Sequence, residues 1–319
     1  IVQHIAKAKE IICDGDTSTI QTHGNHKDGS VKGFNKNRPG SFCLQASQYF
    51  VNSMSIKPDM LPGNKVPQEA LKTFCDLKEV RRICGRLDWI RLDAGFISMQ
   101  MLNYLDGFSR FRNSIEKIKY IVNVGMKCIG SIRAKNRSVF RKWTKLGKGV
   151  FMQDHGLCQI YKDDPKLRRL LLFKEFFPGG KGKGEWKYYA LCSNEEHMSA
   201  KDLYYFYHQR QTIENFFDEA KNDYNLEHLP CTKIMGNALY FNVLCLAFNM
   251  LYLFRLASLR KQDHKIRLST FQRTYIELQM EFDGKILYIF RSASFYYRRI
   301  TAILRRLMKL GIVLEYRFC

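Results

Sequence analysis

Acidic side chains are scarce. Asp and Glu number 30 against 52 Lys and Arg in 319 residues, so the formal net charge is +22 and the sequence pI is near 9.6. Such a chain suits a polyanion, because each phosphate it neutralises releases condensed counterions. Nucleic acid is the first such partner, and an anionic membrane surface the second. Clustered cysteine is lacking too. The ten Cys are scattered without a C-x-x-C pair, and the eight His give one close pair, His23 and His26. That excludes a disulfide framework and a zinc cluster, and leaves reduced cytosolic thiols. The sequence also lacks a signal peptide, an internal repeat and a low-complexity segment. Residues 234–254 are uncharged and long enough to span a bilayer, but contain Asn237, Asn242 and Asn249. This run reads as a buried core helix, and no membrane partner is expected.

What is present is ample for a packed core: 45% hydrophobic residues, of which the aromatics are 13% of the chain. The length allows two domains, or one large domain carrying an insertion. Glu10 to Asp16 reads as a strand entering a turn, and Thr17 to Pro39 as a hairpin or ordered loop. Cys43 to Met54 is the next strand, and Leu61-Pro62-Gly63-Asn64 a turn. Gln68 to Cys84 has helical spacing through Ala70, Leu71, Phe74, Leu77 and Val80. Trp89 to Leu92 is a strand running into Asp93, Ile97 to Leu105 is helical, and Tyr120 to Val124 is again a strand. This alternation implies an α/β core with a partly parallel sheet. From Met126 to Ser193 short β-like runs and Lys/Gly turns, such as Gly179 to Gly184, suggest an antiparallel insertion. Helices return at Ala200 to Tyr224 and Ile234 to Leu259. The tail holds a hairpin around Asp283-Gly284 and a basic helix from Ser294 to Lys309.

Three acids stand out. Asp16 ends the first strand, Asp93 ends a later one, and the helix after the insertion offers Glu214. Open α/β sheets place their sites at strand ends, so the three can converge at the sheet edge. Three oxygen ligands without His or Cys suit Mg²⁺ or Mn²⁺ rather than zinc. Two such ions about 4 Å apart activate water and stabilise the leaving oxygen in phosphodiester cleavage. At about 100° per residue, Tyr207, Arg210, Glu214 and Lys221 fall within a wedge of about 60° on one continuous helix. Phe206, Ile213, Phe217 and Ala220 form the adjoining apolar stripe. The polar wedge reads either as a solvated border with an ordinary Arg210–Glu214 pair, or as a cation pair gripping phosphate around a metal-binding Glu.

The spacing Tyr207-x₂-Arg210-x₃-Glu214-x₆-Lys221 resembles the Y-x₂-R-x₃-E-x₆-K signature of bacterial insertion-sequence DDE transposases. Asp14-Gly-Asp16-Thr-Ser-Thr is similar to that family's first-Asp strand. Arg91-Leu-Asp93-Ala-Gly-Phe96 is similar to its R-x-D-S-G-F strand, with Ala94 in place of Ser. Gly29-Ser-Val-Lys-Gly33-Phe-Asn35, Leu61-Pro-Gly-Asn64 and Leu229-Pro-Cys-Thr-Lys-Ile-Met-Gly-Asn237 extend the likeness over nearly all 319 residues. Asp14 and Asp16 point the same way on a strand, so either could be the first ligand. The family pattern favours Asp16, directly before Thr17.

The resemblance implies an RNase H-like core, a mixed sheet flanked by helices, interrupted by a β-rich insertion. On that reading residues 1–125 carry both Asp, 126–198 are the insertion, 199–260 hold the Glu helix and the next helix, and 261–319 form a basic helical C-terminal region. It implies cut-and-paste transposition: nicking, hairpin formation in related members, and strand transfer. Asp16, Asp93 and Glu214 would be catalytic and hold two Mg²⁺ (or Mn²⁺) ions, with Tyr207, Arg210 and Lys221 on DNA. Duplex transposon ends and target DNA are the expected partners, with a homodimer as the active complex, in the cytoplasm at the bacterial nucleoid. The sequence begins with Ile and almost directly with a strand, so the family's N-terminal end-recognition domain is expected to be missing. Two rival readings are a structure-selective nuclease on the same fold and a decayed or domesticated transposase that only binds DNA. From Arg255 to Cys319 fourteen Lys or Arg face five acids. Arg298, Arg299, Arg305 and Arg306 form a helical stripe that either tracks a DNA backbone or is simply solvated.

Overall fold

The computed structural model describes residues 5, 8–33, 41–63, 70–125, 143–178, 184–276, 280–282, 287–289, 294–311 and 316–318. It divides into two compact units, Ile1–Asn215 with Pro230–Phe241, and Phe216–Leu229 with Asn242–Cys319.

The first unit is a mixed α/β structure built on a large mixed sheet. Its strands are β1 (Ile12–Gln21), β2 (Val31–Lys32), β3 (Phe42–Val51), β4 (Met54–Ser55), β5 (Asp59–Pro62), β6 (Trp89–Leu92), β7 (Lys119–Val124), β8 (Thr144–Gly147), β9 (Val150–Gln159), β10 (Leu167–Phe177) and β11 (Glu185–Ser193). The order is β2-β3-β1-β6-β7-β11-β10-β9-β8, with β4 and β5 also on β3. β1 runs antiparallel to β3 and parallel to β6, and β6 runs parallel to β7. Crossovers make those parallel neighbours possible: helix α1 (Ala70–Cys84) precedes β6, and α2 (Met99–Gly107) joins β6 to β7. The antiparallel strands after residue 143 continue the same sheet, because Ala190 to Ser193 of β11 pair with Val124 to Ile121 of β7.

Three local expectations are corrected here. β1 does not end at Asp16 but runs on to Gln21, since Thr17 to Gln21 pair with Ser47 to Cys43. Leu61 and Pro62 are strand rather than turn, paired with Gln45 and Leu44. Gly63 follows because a Cβ there would lie 2.0 Å from the Cys43 carbonyl oxygen, so no other residue fits beside that strand. The single helix expected from Ala200 to Tyr224 is two, α3 (Ala200–His208) and α4 (Gln211–Asn222). Ser199 caps α3 by accepting from Asp202 N at 3.1 Å. The break follows from the carbonyls at its other end. Arg210 N donates to Tyr207 O at 3.0 Å, and Phe206 O accepts instead from Arg91 Nη1 at 2.5 Å. α3 docks on the sheet through Ala200, Leu203, Tyr204 and Tyr207, which pack on Trp89, Ile121, Leu171, Phe173 and Leu191.

The run Pro230–Asn237 also belongs to this unit and docks beside β2. Asp28 N donates to Thr232 O at 2.7 Å, and Lys27 Nζ to Cys231 O at 3.0 Å. Asn237 is fully buried, and its amide both accepts from and donates to the Cys231 backbone at 3.0 Å.

In the second unit, buried Arg255 donates to Glu219 (3.4 Å), which also accepts from Leu268 N (2.8 Å). Arg267 pairs with Asp218 at 2.7 Å. In the final helix, Ser294–Lys309, Arg306 donates to Ser258 O (2.9 Å) while Arg305 is exposed. The side chains of Arg298 and Arg299, the turn at Asp283-Gly284 and nearly all of Gly179 to Gly184 lie outside the described residues.

Helix α5 (Ile234–Ser258) is long and apolar enough to cross a membrane by length and composition. The expectation of a buried core helix is corrected: a third of its most apolar window is buried, and Met235, Leu239, Val243, Leu246 and Met250 are exposed.

Candidate active site

Parallel pairing of β1 with β6 sets Asp14 against Arg91 and Gly15 against Leu92. Side chains alternate along a strand, so Asp14 and Asp16 share one face of β1, as Arg91 and Asp93 share one face of the adjoining segment. Gly15 faces the other way. A Cβ on it would lie 2.6 Å from Leu92 Cδ2 and 3.2 Å from the Tyr49 ring, so the missing side chain lets the two strands pack closely.

The two acids of β1 have different partners. Asp14 is buried and spent on Arg91, whose Nε and Nη2 reach its two oxygens at 2.5 and 2.7 Å. Asp16 instead faces Arg210, Nη1 to Oδ2 at 3.0 Å, and accepts from Thr17 N at 2.8 Å. The same guanidinium lies 2.6 Å from Glu214 Oε1 and 3.9 Å from Asp93 Oδ1. The structure thus brings Asp16, Asp93 and Glu214, from three separate segments, around one buried cation. Asp93 caps the short turn Ala94–Phe96 without a side-chain hydrogen bond, which leaves its carboxylate open to the cleft.

The electrostatics follow from this crowding. Burial pushes the Asp16 carboxyl up to about 6, with Arg210 opposing the rise and the Asp93 charge adding to it. Burial alone would lower Arg210, but Tyr207, Asp16, Asp93 and Glu214 outweigh it and hold the guanidinium firmly charged.

Tyr207 is buried on the floor of the same cleft, and its hydroxyl donates to Leu92 O at 3.4 Å. Its pKa is raised by burial, against Arg210. Lys221 belongs to the second unit, where Nζ lies 4.0 Å from Glu227 Oε1. Burial lowers its pKa while Glu227 and Asp218 oppose that. The helical wedge that joined these residues does not exist as such, because the break at Gln209–Arg210 interrupts it.

Sequence reasoning missed the far wall of the cleft. Glu175, Lys187, Tyr189 and His208 line it together with Asp93, Arg210 and Glu214. Tyr189 Oη and His208 Nε2 are 2.9 Å apart, and burial lowers the His208 pKa against the pull of Glu175 and Glu214. No spacing signal marks these residues, since they meet only through pairing of β10 with β11 and docking of α3.

Among the described residues no three His, Cys, Asp or Glu side chains stand close enough together to share a metal ion. The three acids are held apart by the Arg210 guanidinium between them. Their chemistry nonetheless fits a hard divalent cation: carboxylate oxygens only, arranged about a positive charge.

No curated protein matches the chain. Its structure is similar to that of a piggyBac transposase in a synaptic complex with hairpin DNA, at 10% identity and a TM-score of 0.42, over 98% of this chain and 56% of that one. The chain therefore spans little more than half the length of that protein. A family model described as the transposase DDE domain matches residues 7–250, well over half of the sequence, and the chain belongs to that family.

Proposed function

We propose that this protein is the catalytic region of a cut-and-paste transposase that hydrolyses phosphodiester bonds at transposon ends and joins the freed strands to target DNA. Transposases of this family generally use divalent metal ions. The observation that carries the reading is the convergence of Asp16, Asp93 and Glu214 on the single buried cation of Arg210. The order β3-β1-β6-β7, with β1 antiparallel to β3 and parallel to β6, supports an RNase H-like core.

Asp16, Asp93 and Glu214 would hold two Mg²⁺ or Mn²⁺ ions, which supply charge to the attacking water and to the leaving oxygen. Arg210 then turns from the carboxylates to a DNA phosphate. Tyr207 fixes the cleft floor beside the DNA, and Lys221 holds a phosphate elsewhere along the backbone. The cleft wall of Glu175, Tyr189 and His208 limits water around the reacting phosphate. Duplex DNA is the partner, two copies act together, and the work takes place on the chromosome in the cytoplasm.

The test uses a supercoiled plasmid carrying inverted repeats identified in the DNA that flanks the gene. Wild type in Mg²⁺ nicks the repeat boundary. Asp16→Asn, Asp93→Asn and Glu214→Gln each lose at least about a thousandfold in nicking, since several kcal/mol of transition-state stabilisation disappear. All three retain the DNA in Ca²⁺. Wild-type binding without nicking would favour the reading of a DNA-binding protein alone.

A further inference from the structure

Two residues before each strand acid stands a partner that the proposed chemistry does not use. Asp14 precedes Asp16 on β1, Arg91 precedes Asp93, and the register sets Asp14 directly against Arg91. Both are buried, at 6% and 5% exposure. The pair is bidentate, with contacts of 2.5 and 2.7 Å. Arg91 spends its remaining nitrogen on a third element: Nη1 donates to the Phe206 carbonyl at 2.5 Å, and the guanidinium lies 4.8 Å from the Phe206 ring centroid. Phe206 O belongs to the last turn of α3, where carbonyls lose their intrahelical donors. Four residues later comes Arg210.

One side chain thus ties together β1, which carries Asp16, β6, which leads into Asp93, and the end of α3, which leads into Arg210 and the start of α4 with Glu214. A planar five-donor fork can do this, and a point charge cannot. A buried ion pair is weak evidence for stability, but fixing register is its best-attested use. Here one slipped residue on either strand would turn its acid to the opposite face.

We infer that Arg91, held by Asp14, is a positioning residue that sets the spacing of the three site acids and so their affinity for a divalent ion. This rests on the transposase reading of those acids. Arg91 touches neither DNA nor metal on this view, and acts only through the three elements it joins.

The experiment compares the full chain with Arg91→Lys, the apolar double variant Asp14→Leu/Arg91→Met, and Glu214→Gln. Three quantities are read: thermal midpoint, Mn²⁺ binding by EPR titration, and single-turnover nicking of the plasmid described above. An apolar pair of similar volume is often neutral for stability, so the double variant is expected to melt near wild type. Its Mn²⁺ affinity and nicking rate are expected to fall about 10- to 100-fold, the usual effect of removing a group that orients metal ligands. Retention of DNA in Ca²⁺ stays unchanged.

Arg91→Lys keeps the charge but cannot serve Asp14 and Phe206 O together. It shows the same selective loss, and decides the matter if the double variant does not fold. Wild-type Mn²⁺ affinity and nicking in a folded double variant or in Arg91→Lys overturn the inference alone. Wild-type protein that neither nicks nor binds Mn²⁺ more tightly than Glu214→Gln overturns the transposase reading, and this inference with it.

Discussion

Arg210 and Glu214 form an i,i+4 ion pair of 2.6 Å whose arginine side chain is 7% exposed and whose glutamate is 54% exposed. The two partners therefore carry unequal weight. Glu214 stands at the open side, where screening keeps an ion pair to about 1 kcal/mol or less. Arg210 also neutralises Asp16, itself largely out of water, and stripping the partner from such a charge costs about 3–5 kcal/mol.

The first prediction follows from that asymmetry. In metal-free buffer Arg210→Ala is expected to lose about 3–5 kcal/mol of stability, and Glu214→Gln less than about 1 kcal/mol. Adding Mg²⁺ then stabilises Arg210→Ala more than wild type, since a cation again balances Asp16 and Asp93. Urea melts of the three proteins, in EDTA and in Mg²⁺, make the comparison. Equal Mg²⁺ gains for wild type and Arg210→Ala would show that the guanidinium and the metal do not share a site.

The second prediction concerns Gly15, between the two acids of β1. Gly15→Ala places a Cβ 2.6 Å from Leu92 Cδ2, and Leu92 is fully buried, so any shift of it presses on packed neighbours. Overpacking of this kind costs about 1–3 kcal/mol. Because Leu92 precedes Asp93, nicking should fall further than the loss of folded protein explains. Specific activity per folded molecule, with folding followed by near-UV circular dichroism, is the measurement.

The residues of the candidate site were legible from their types and spacing together with the family resemblance, which favoured Asp16 over Asp14. Asp16, Asp93, Arg210 and Glu214 meet as an α/β reading would bring them, because strand register and helix docking are dictated by the apolar pattern around them. Trp89 to Leu92 forms the strand read from its apolar run. What local sequence could not show was set by long-range pairing. The extension of β1 past Asp16 depends on β3, and the break before Gln211 depends on Arg91 taking the Phe206 carbonyl. Arg91 was visible only as part of a motif, and its three-way bonding requires the β1–β6 register. Glu175, Tyr189 and His208 lie on three consecutive elements, and only the β10–β11 register and the docking of α3 bring them together.

A third prediction uses the charge. With +22 on the chain, DNA binding should weaken steeply with salt, the logarithmic slope being about 0.9 per phosphate neutralised. Six phosphates or more would remove at least about a thousandfold in affinity between 50 and 200 mM salt. Fluorescence anisotropy on duplexes with and without the flanking inverted repeats gives both the slope and the discrimination. Most of the affinity is expected to be shared by the two duplexes, since phosphate contacts position without specifying sequence.

The last prediction concerns Lys221, whose ammonium lies 4.0 Å from Glu227 in the second unit. Burial favours its neutral form while Glu227 and Asp218 favour the charged one, so a phosphate arriving there would strengthen the charged state. As a backbone contact, Lys221→Ala should weaken DNA retention in Ca²⁺ about tenfold and lower the salt slope by about one. Nicking should fall in step, and saturating DNA should restore much of it. Glu227→Gln provides the control: it removes the competing carboxylate and should tighten binding slightly. Loss of thermal stability in Lys221→Ala, with DNA retention intact, would instead assign Lys221 to the internal pairing of its own unit.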